Sequence, residues 1–456
     1  MKNLLMFISF LFFISCNYKV NDKNEKDNQI SFENLRKSIN KIILNENIPG
    51  TSIGILINDS IVFNEGFGYT DTLKTKKVTS NTIFPVASIS KFITAISILM
   101  LETQGKLSIE DPITKHFPEL SQEFSEIKIK HLLNHTTGIT DMPFRERLEL
   151  YKKPDMENIV LDYFQPSIIR NKPEKKWEYS NITYMMLSFI IERTTKQSFG
   201  GFIHKEFVQN LNLTGTGLCE SPEIDSKYTF NYFYPKRTYL NPKYSQRQLG
   251  GGGICSTSSD LLKIVRALQN GKLIASEKIS LLFKPTLLEN GMEIYYGLGT
   301  KLGINDNIFM CGHTGGHQTN HSVLFWYPNE KIAAVALTNS DPGNAPKLAM
   351  EASSFVLELN KFEVKEIDEV DYSGKFNWAG DTITYQITKK GELIEKIDYG
   401  HSVDELTYYY VGNNTFHNSE YNTTLKFGIK NNKSYYVQTF NYGIYADMDI
   451  ATRINE

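Results

Sequence analysis

The chain has 456 residues, 41% hydrophobic and 22% charged, with 49 Lys and Arg against 51 Asp and Glu for a formal charge of -2. That length exceeds one compact core and points to two domains of unequal size, and the apolar content excludes a disordered chain. No basic excess exists to neutralise phosphates, so nucleic acid is excluded as a partner, and four cysteines in this length exclude a disulfide-built scaffold.

The chain opens on Met1-Lys2-Asn3 and then runs apolar from Leu4 to Ile14, Ser9 excepted. As a helix this stretch is about 16 Å long, roughly half a bilayer core, which fits the apolar region of an export signal and not a transmembrane span. Phe13-Ile14-Ser15-Cys16 resembles a bacterial lipoprotein signal. The resemblance implies that residues 1–15 are removed, that Cys16 is lipidated and that the chain is anchored in the cell envelope. Residues 16–30 are polar, rich in Asn, Lys and Asp, and read as a flexible tether.

Leu35, Ile39, Ile42 and Ile43 fall at helical spacing, so residues 31–45 are predicted as an amphipathic helix stopped by Pro49-Gly50. Strands are predicted near 51–57 and 60–67, with Asn58-Asp59 as the turn. Residues 88–104 are apolar nearly all round, as in a buried central helix. From 106 to 290 the pattern is mostly helical with long loops, and Thr257 with Asp260 three residues on marks a helix start. Strands are predicted again at 293–301, 306–311, 319–327 and 331–338, then a helix at 344–359. One sheet built from sequence-distant pieces, with a helical lobe beside it, is the expected α/β (α+β) architecture of residues 31–360. Residues 361–456 carry alternating runs such as Thr382-Ile383-Thr384-Tyr385, spaced by turn pairs such as Lys390-Gly391, and read as a small antiparallel β domain.

Three short motifs carry chemistry, and each has decoys. Ser-x-x-Lys occurs at Ser88–Lys91, at Ser38–Lys41 and at Ser125–Lys128. Only Ser88 and Lys91 open the apolar helix, where three-residue spacing puts both side chains on one face. Burial there makes the amine a better proton acceptor, and the helix start offers unpaired N–H groups to an oxyanion. Tyr-x-Asn occurs at Tyr179–Asn181 and also at Tyr239–Asn241 and Tyr327–Asn329, whereas His313-Thr314-Gly315 occurs once, at the end of the strand Phe309–Gly312. Gly50-Thr51-Ser52-Ile53-Gly54 matches a nucleophile-elbow spacing, but a helix precedes it and a strand follows, the reverse of what that elbow needs.

The order of Ser88-x-x-Lys91, Tyr179-x-Asn181 and His313-Thr314-Gly315-Gly316 resembles the serine β-lactamase and D,D-peptidase superfamily, in its class C β-lactamase, D-aminopeptidase and family VIII esterase branch. Supporting segments are Phe84–Ala87, His131–Gly138, Gly251–Thr257 and Tyr296–Gly299. The resemblance implies a β-lactamase-like fold over about 31–360, an antiparallel sheet flanked by terminal helices, with a lipocalin-like tail. It implies Ser88 as acylated nucleophile, Lys91 as holder of its proton, Tyr179 as second proton-transfer group and Asn181 as positioner of the substrate amide. Backbone N–H groups of Ser88 and Gly316 would form the oxyanion hole, with His313, Thr314 and Gly315 lining the substrate strand. Many relatives carry lysine where His313 stands, which weakens both a carboxylate grip and a β-lactamase assignment.

The expected activity is hydrolysis of a small peptide or ester, D-amino-acid peptides and small esters being the two substrate classes. Alternatives are a true β-lactamase and a penicillin-binding sensor that stays acylated. No cofactor or metal is expected. His131 and His135 are expected to be structural, Cys219, Cys255 and Cys311 to be small buried residues, and the aromatic stretch 221–248 is a candidate wall of the active-site mouth.

Overall fold

The computed structural model describes residues 31–221, 224, 247–305, 308–317, 320–340, 343–357, 364–378, 380–398, 402–419, 422–441 and 444–454. The export signal, Cys16, the tether, the Tyr239–Asn241 copy and most of the aromatic stretch 221–248 lie outside the described residues.

Six strands form the central antiparallel layer: β1 Gly50–Ile57, β2 Ser60–Gly68, and, numbered after two small sheets, β8 Lys301–Asn305, β9 Ile308–His317, β10 Asn320–Tyr327 and β11 Ile332–Thr338. Their order is β2-β1-β11-β10-β9-β8, so the two ends of the region meet in its middle, with Ile53 opposite Ala336. Strand alternation sends Ile53, Ile55, Val323 and Phe325 to a face covered by the terminal helices Glu33–Asn45 and Ala345–Leu357. Leu56, Leu324 and Trp326 go to the other face, against the helices Ile89–Thr103 and Ser258–Gln269. Burial on both faces is why β1, β10 and β11 carry apolar residues almost without interruption.

The small sheets are β3 Phe84–Pro85, β4 Gly217–Leu218 and β5 Ile254–Ser256 in the order β3-β5-β4, and the pair β6 Thr286–Leu287 with β7 Glu293–Ile294. The helical lobe centres on Ile89–Thr103 crossing Ile182–Thr195, with Phe92, Ile96, Met185 and Leu187 among its fully buried side chains. Thr257 caps the Ser258–Gln269 helix by accepting the Asp260 N–H at 3.0 Å. The Asp260 carboxylate turns to the Thr214 and Gly215 N–H groups instead of back to the cap.

The last eight strands are β12 Gly374–Trp378, β13 Asp381–Ile387, β14 Glu392–Asp398, β15 Val403–Gly412, β16 Thr415–Asn418, β17 Thr423–Lys430, β18 Lys433–Asn441 and β19 Ile444–Arg453. They meander antiparallel and close into a barrel where β12 meets β19 at Phe376 and Arg453. Its interior is filled by aromatic edges, Tyr372 on Phe416 at 4.9 Å and Tyr385 on Phe427 at 5.4 Å. Glu395, the one buried acid among the barrel's described residues, accepts from Tyr385 at 2.7 Å and Tyr408 at 2.9 Å. The pair Ile444 with Gly303 continues the barrel into β8.

Three expectations need correction. The strand predicted at 293–301 is only β7, because residues 295–300 turn back, the Gly297 N–H bonding the Thr300 carbonyl at 2.9 Å. The strand predicted to end at Gly312 runs to His317, since pairing with β10 supplies the ladder that glycine's weak strand preference opposes. Cys219 and Cys255 are not separate buried thiols. They form a disulfide where β4 meets β5, a pairing that a sequence separation of 36 conceals, while Cys311 is a buried free thiol.

Candidate active site

β3 is held by β5, and the Val86 N–H bonds the Ile254 carbonyl at 3.0 Å. The chain must then turn abruptly into the Ile89–Thr103 helix, and Ala87 does so with φ +46°, a left-handed conformation that costs a non-glycine residue about 1 kcal/mol or more. Ser88 follows at the helix start, half-buried, with its hydroxyl not used as a cap. One turn on, the fully buried Lys91 extends back along the same face, its Nζ 3.3 Å from Ser88 Oγ.

Lys91 Nζ also donates to Asn181 Oδ1 at 2.8 Å and to the Gly251 carbonyl at 2.6 Å. Both partners only accept, so they take two N–H bonds and turn the third position of the nitrogen towards Ser88. In the free amine that position is a lone pair. Tyr179 Oη lies 3.0 Å from Ser88 Oγ, and Lys91 Nζ sits 4.7 Å over the Tyr179 ring. The first two motifs therefore converge on one oxygen.

The Tyr179-Ser180-Asn181 segment is pinned from behind. One Asp141 oxygen accepts from Ser180 Oγ at 2.9 Å and from the Asn181 and Ile182 N–H groups at 3.1 Å each, a carboxylate at the start of the Ile182–Thr195 helix, where the helix dipole favours negative charge. Arg147 pairs with the same carboxylate. His135 Nδ1 accepts the Ser180 N–H at 3.2 Å.

β9 brings the third motif alongside. β8 pairs with β9 only as far as Gly312, so among the described residues 313–317 have no strand partner on that edge. A Cβ at Gly315 would come within 2.4 Å of the Val86 carbonyl oxygen and 2.3 Å of Ser322 Oγ. Glycine there lets the strand press against the segment that carries Ser88. A Cβ at Gly316 would meet open space. Thr314, just before them, is half-buried and His313 is fully buried.

Both His313 nitrogens are committed. Nδ1 faces the Thr314 carbonyl at 2.6 Å and must carry its proton, leaving Nε2 to accept from Tyr296 Oη at 3.2 Å. His135 runs the same way: its Nδ1 accepts from Ser180, so its Nε2–H donates to Tyr296 Oη at 3.3 Å. A chain of bonds thus leads from His135 through Tyr296 to His313, both imidazoles neutral. Burial pushes both well below the usual imidazole range, reinforced at His313 by Lys301 and then Lys91, and at His135 by Lys91 and His313.

This has a consequence for stability. Above the unfolded histidine pKa of about 6.5, neither folded nor unfolded chain protonates these rings. Below it only the unfolded chain takes protons, so stability falls with pH by up to about 1.4 kcal/mol per pH unit and per histidine. His417 in the barrel, pushed down to about 4 by burial, adds to the same window. The melting temperature is expected to drop steadily from pH 7 to pH 5. A flat profile would show that these rings are charged in the fold.

The decoys go elsewhere. Ser38 bonds Glu351, Lys128 pairs with Glu110 at 2.8 Å, and Ser52 lies buried in β1 against Ser258 at 2.7 Å.

The Beta-lactamase family profile matches residues 32–355. The chain belongs to the Beta-lactamase family. Penicillin-binding protein 4* of Bacillus subtilis is 26% identical over 332 residues, 67% of this chain and 72% of that protein. The octameric penicillin-binding protein homologue from Pyrococcus abyssi superposes with TM-score 0.63 at 20% identity, over 92% of this chain and 99% of its own. The beta-lactamase/D-alanine carboxypeptidase of Pseudomonas syringae does so with TM-score 0.61 at 19% identity, over 72% and 98%. This chain is thus one of a family of β-lactamase-fold serine hydrolases, and the barrel lies beyond the residues the family profile covers.

Four groups of this Beta-lactamase family site escape motif reading: Asp141, His135, Tyr296 and the Gly251 carbonyl. The segments of His135, Gly251 and Tyr296 carry short recognisable runs, but nothing local says that Asp141 meets a helix start forty residues on. His135 is structural as expected, though its role is to hold the candidate site.

Proposed function

We propose that the chain is a cell-envelope hydrolase that attacks an amide or ester carbonyl through an acyl-Ser88 intermediate. The convergence of Lys91 Nζ and Tyr179 Oη on Ser88 Oγ, at 3.3 Å and 3.0 Å, carries this reading. Ser88 Oγ forms a bond to the carbonyl carbon while its proton passes to Lys91. The oxyanion rests on the Ser88 and Gly316 N–H groups. Tyr179 protonates the leaving nitrogen or oxygen, and water then releases the acid and restores Ser88. Asn181 orients Lys91 as well as the substrate amide.

The substrate is a D-amino-acid peptide or a small ester. His313 offers it neither charge nor a free N–H, so a terminal carboxylate gains no ion pair at this position. A D-Ala-D-Ala peptide and its C-terminal amide should therefore have kcat/KM values within about threefold of each other. A preference of tenfold or more for the free acid, about 1.4 kcal/mol, would overturn the reading of His313 as an uncharged neighbour of the substrate terminus.

The Cys219–Cys255 bond supports an oxidising, exported location. Lipid on Cys16 would hold the chain at the membrane. Cys16→Ser should move it from the detergent phase to the aqueous phase, and unchanged partitioning would sink the anchor.

A further inference from the structure

We propose that the C-terminal barrel is a working part of the active site, with Gln438 a positioning residue that fixes Tyr296 through the backbone of residues 293–295. This rests on the acyl-Ser88 reading.

Gln438 lies in β18 and is fully buried, although it belongs to a residue type that is usually exposed. Its Nε2 donates to the Glu293 carbonyl at 2.7 Å, and its Oε1 accepts the Tyr295 N–H at 3.2 Å. In an extended strand the carbonyl of one residue and the N–H two residues on point to the same edge. A carboxamide, with one donor and one acceptor side by side, pairs with that edge as another strand would. β7 uses its other edge to pair with β6, so Gln438 completes it. Phe440, two residues further along β18, stacks edge-on against Tyr295 at 5.1 Å. The barrel therefore grips Glu293 and Tyr295, and the next residue is Tyr296.

Tyr296 is the hydroxyl between His135 and His313. Its ring lies 6.4 Å from the Tyr179 ring and 5.7 Å from Trp177. A slip of the 293–295 backbone carries that hydroxyl away from two buried imidazoles. One of them holds the Ser180 N–H beside Tyr179, and the other sits in β9 three residues before Gly316. The hairpin has other ties, Thr286 Oγ1 to the Tyr296 carbonyl at 2.7 Å and the Leu302 N–H to the Tyr295 carbonyl at 2.9 Å. A fully buried amide that gives this backbone both a donor and an acceptor is what separates positioning from mere docking.

The test is a double-mutant cycle in the full chain, read on nitrophenyl-ester turnover. Gln438→Met keeps the volume and removes both bonds. It is expected to lower kcat about tenfold with KM within twofold. Tyr296→Phe should do the same, and the double variant should be no slower than Tyr296→Phe alone. Gln438→Glu keeps the acceptor but sets a second oxygen against the Glu293 carbonyl, so it should lower kcat at least as much as Gln438→Met. Multiplying effects in the double variant, or an unchanged kcat in Gln438→Met, would overturn the proposal. Unfolding of both Gln438 variants at the assay temperature would do so too, since Gln438 would then be a stability residue. Imidazole nitrogen NMR gives a readout that needs no turnover: Gln438→Met should shift the His135 and His313 resonances together, and unmoved resonances refute the coupling. Absence of Ser88-dependent turnover in the wild type would sink the functional reading instead, and leave the NMR result to decide the coupling.

Discussion

Ser88→Ala is expected to lower kcat/KM for any accepted ester or amide by about 10⁴-fold or more while leaving the melting temperature within a degree or two. The two halves of that expectation come from different observations. The Ser88 hydroxyl bonds only the Lys91 amine and the Tyr179 hydroxyl among the contacts described, and it does not cap its own helix. Removing it therefore takes only these two bonds from the fold, at a half-buried position. It does remove the one oxygen on which both proton-handling groups converge, and without a covalent intermediate the remaining N–H groups can only stabilise slow attack by water. Steady-state hydrolysis and the intact mass after exposure to an acylating ester check this together. A variant that still turns over near the wild-type rate, or that still gains the acyl mass, would remove Ser88 from the mechanism.

Lys91→Met should lower kcat by about 10³-fold, in the usual range for loss of a positioned base, and should also destabilise the fold. The side chain is fully buried, and its nitrogen satisfies the Gly251 carbonyl and Asn181 Oδ1 as well as facing Ser88. Methionine fills the volume and leaves those acceptors unpaired, at a cost of about 1–3 kcal/mol each where no water enters. The pattern expected is low activity with a lowered melting temperature, unlike Ser88→Ala. Lys91→Arg should rescue neither, because a guanidinium does not deprotonate and its planar fork does not fit three acceptors placed around one ammonium. Wild-type turnover by Lys91→Arg would show that the residue acts only through its charge.

The elements of the fold were largely legible in the residues. The amphipathic stripe of 33–45, the all-apolar run of 89–103, the Thr257 cap and the alternating strands of the tail each follow from local preference and periodicity, and these are properties of neighbouring residues. The errors fall where pairing overrides preference. His313-Thr314-Gly315-Gly316 continues β9 because β10 pairs with it throughout, and the predicted strand 293–301 breaks because the Thr300 carbonyl draws Gly297 into a turn. The Cys219–Cys255 bond depends on β4 meeting β5, which no local pattern records.

By itself the sequence singled out the candidate site and the family to which the chain belongs. Only one Ser-x-x-Lys copy sits on a helix that must be buried, and burial separates a catalytic lysine from a solvated one. The tertiary structure decided how that site is held. Asp141 reaching a helix start, the Gly251 carbonyl turning Lys91, Tyr296 joining two neutral histidines and Gln438 gripping the strand behind it are contacts between distant segments. The physical reason is one of range: helix and strand periodicity act over a few residues, whereas hydrogen-bond geometry around a buried amine is set by whichever carbonyls the finished fold brings within 3 Å.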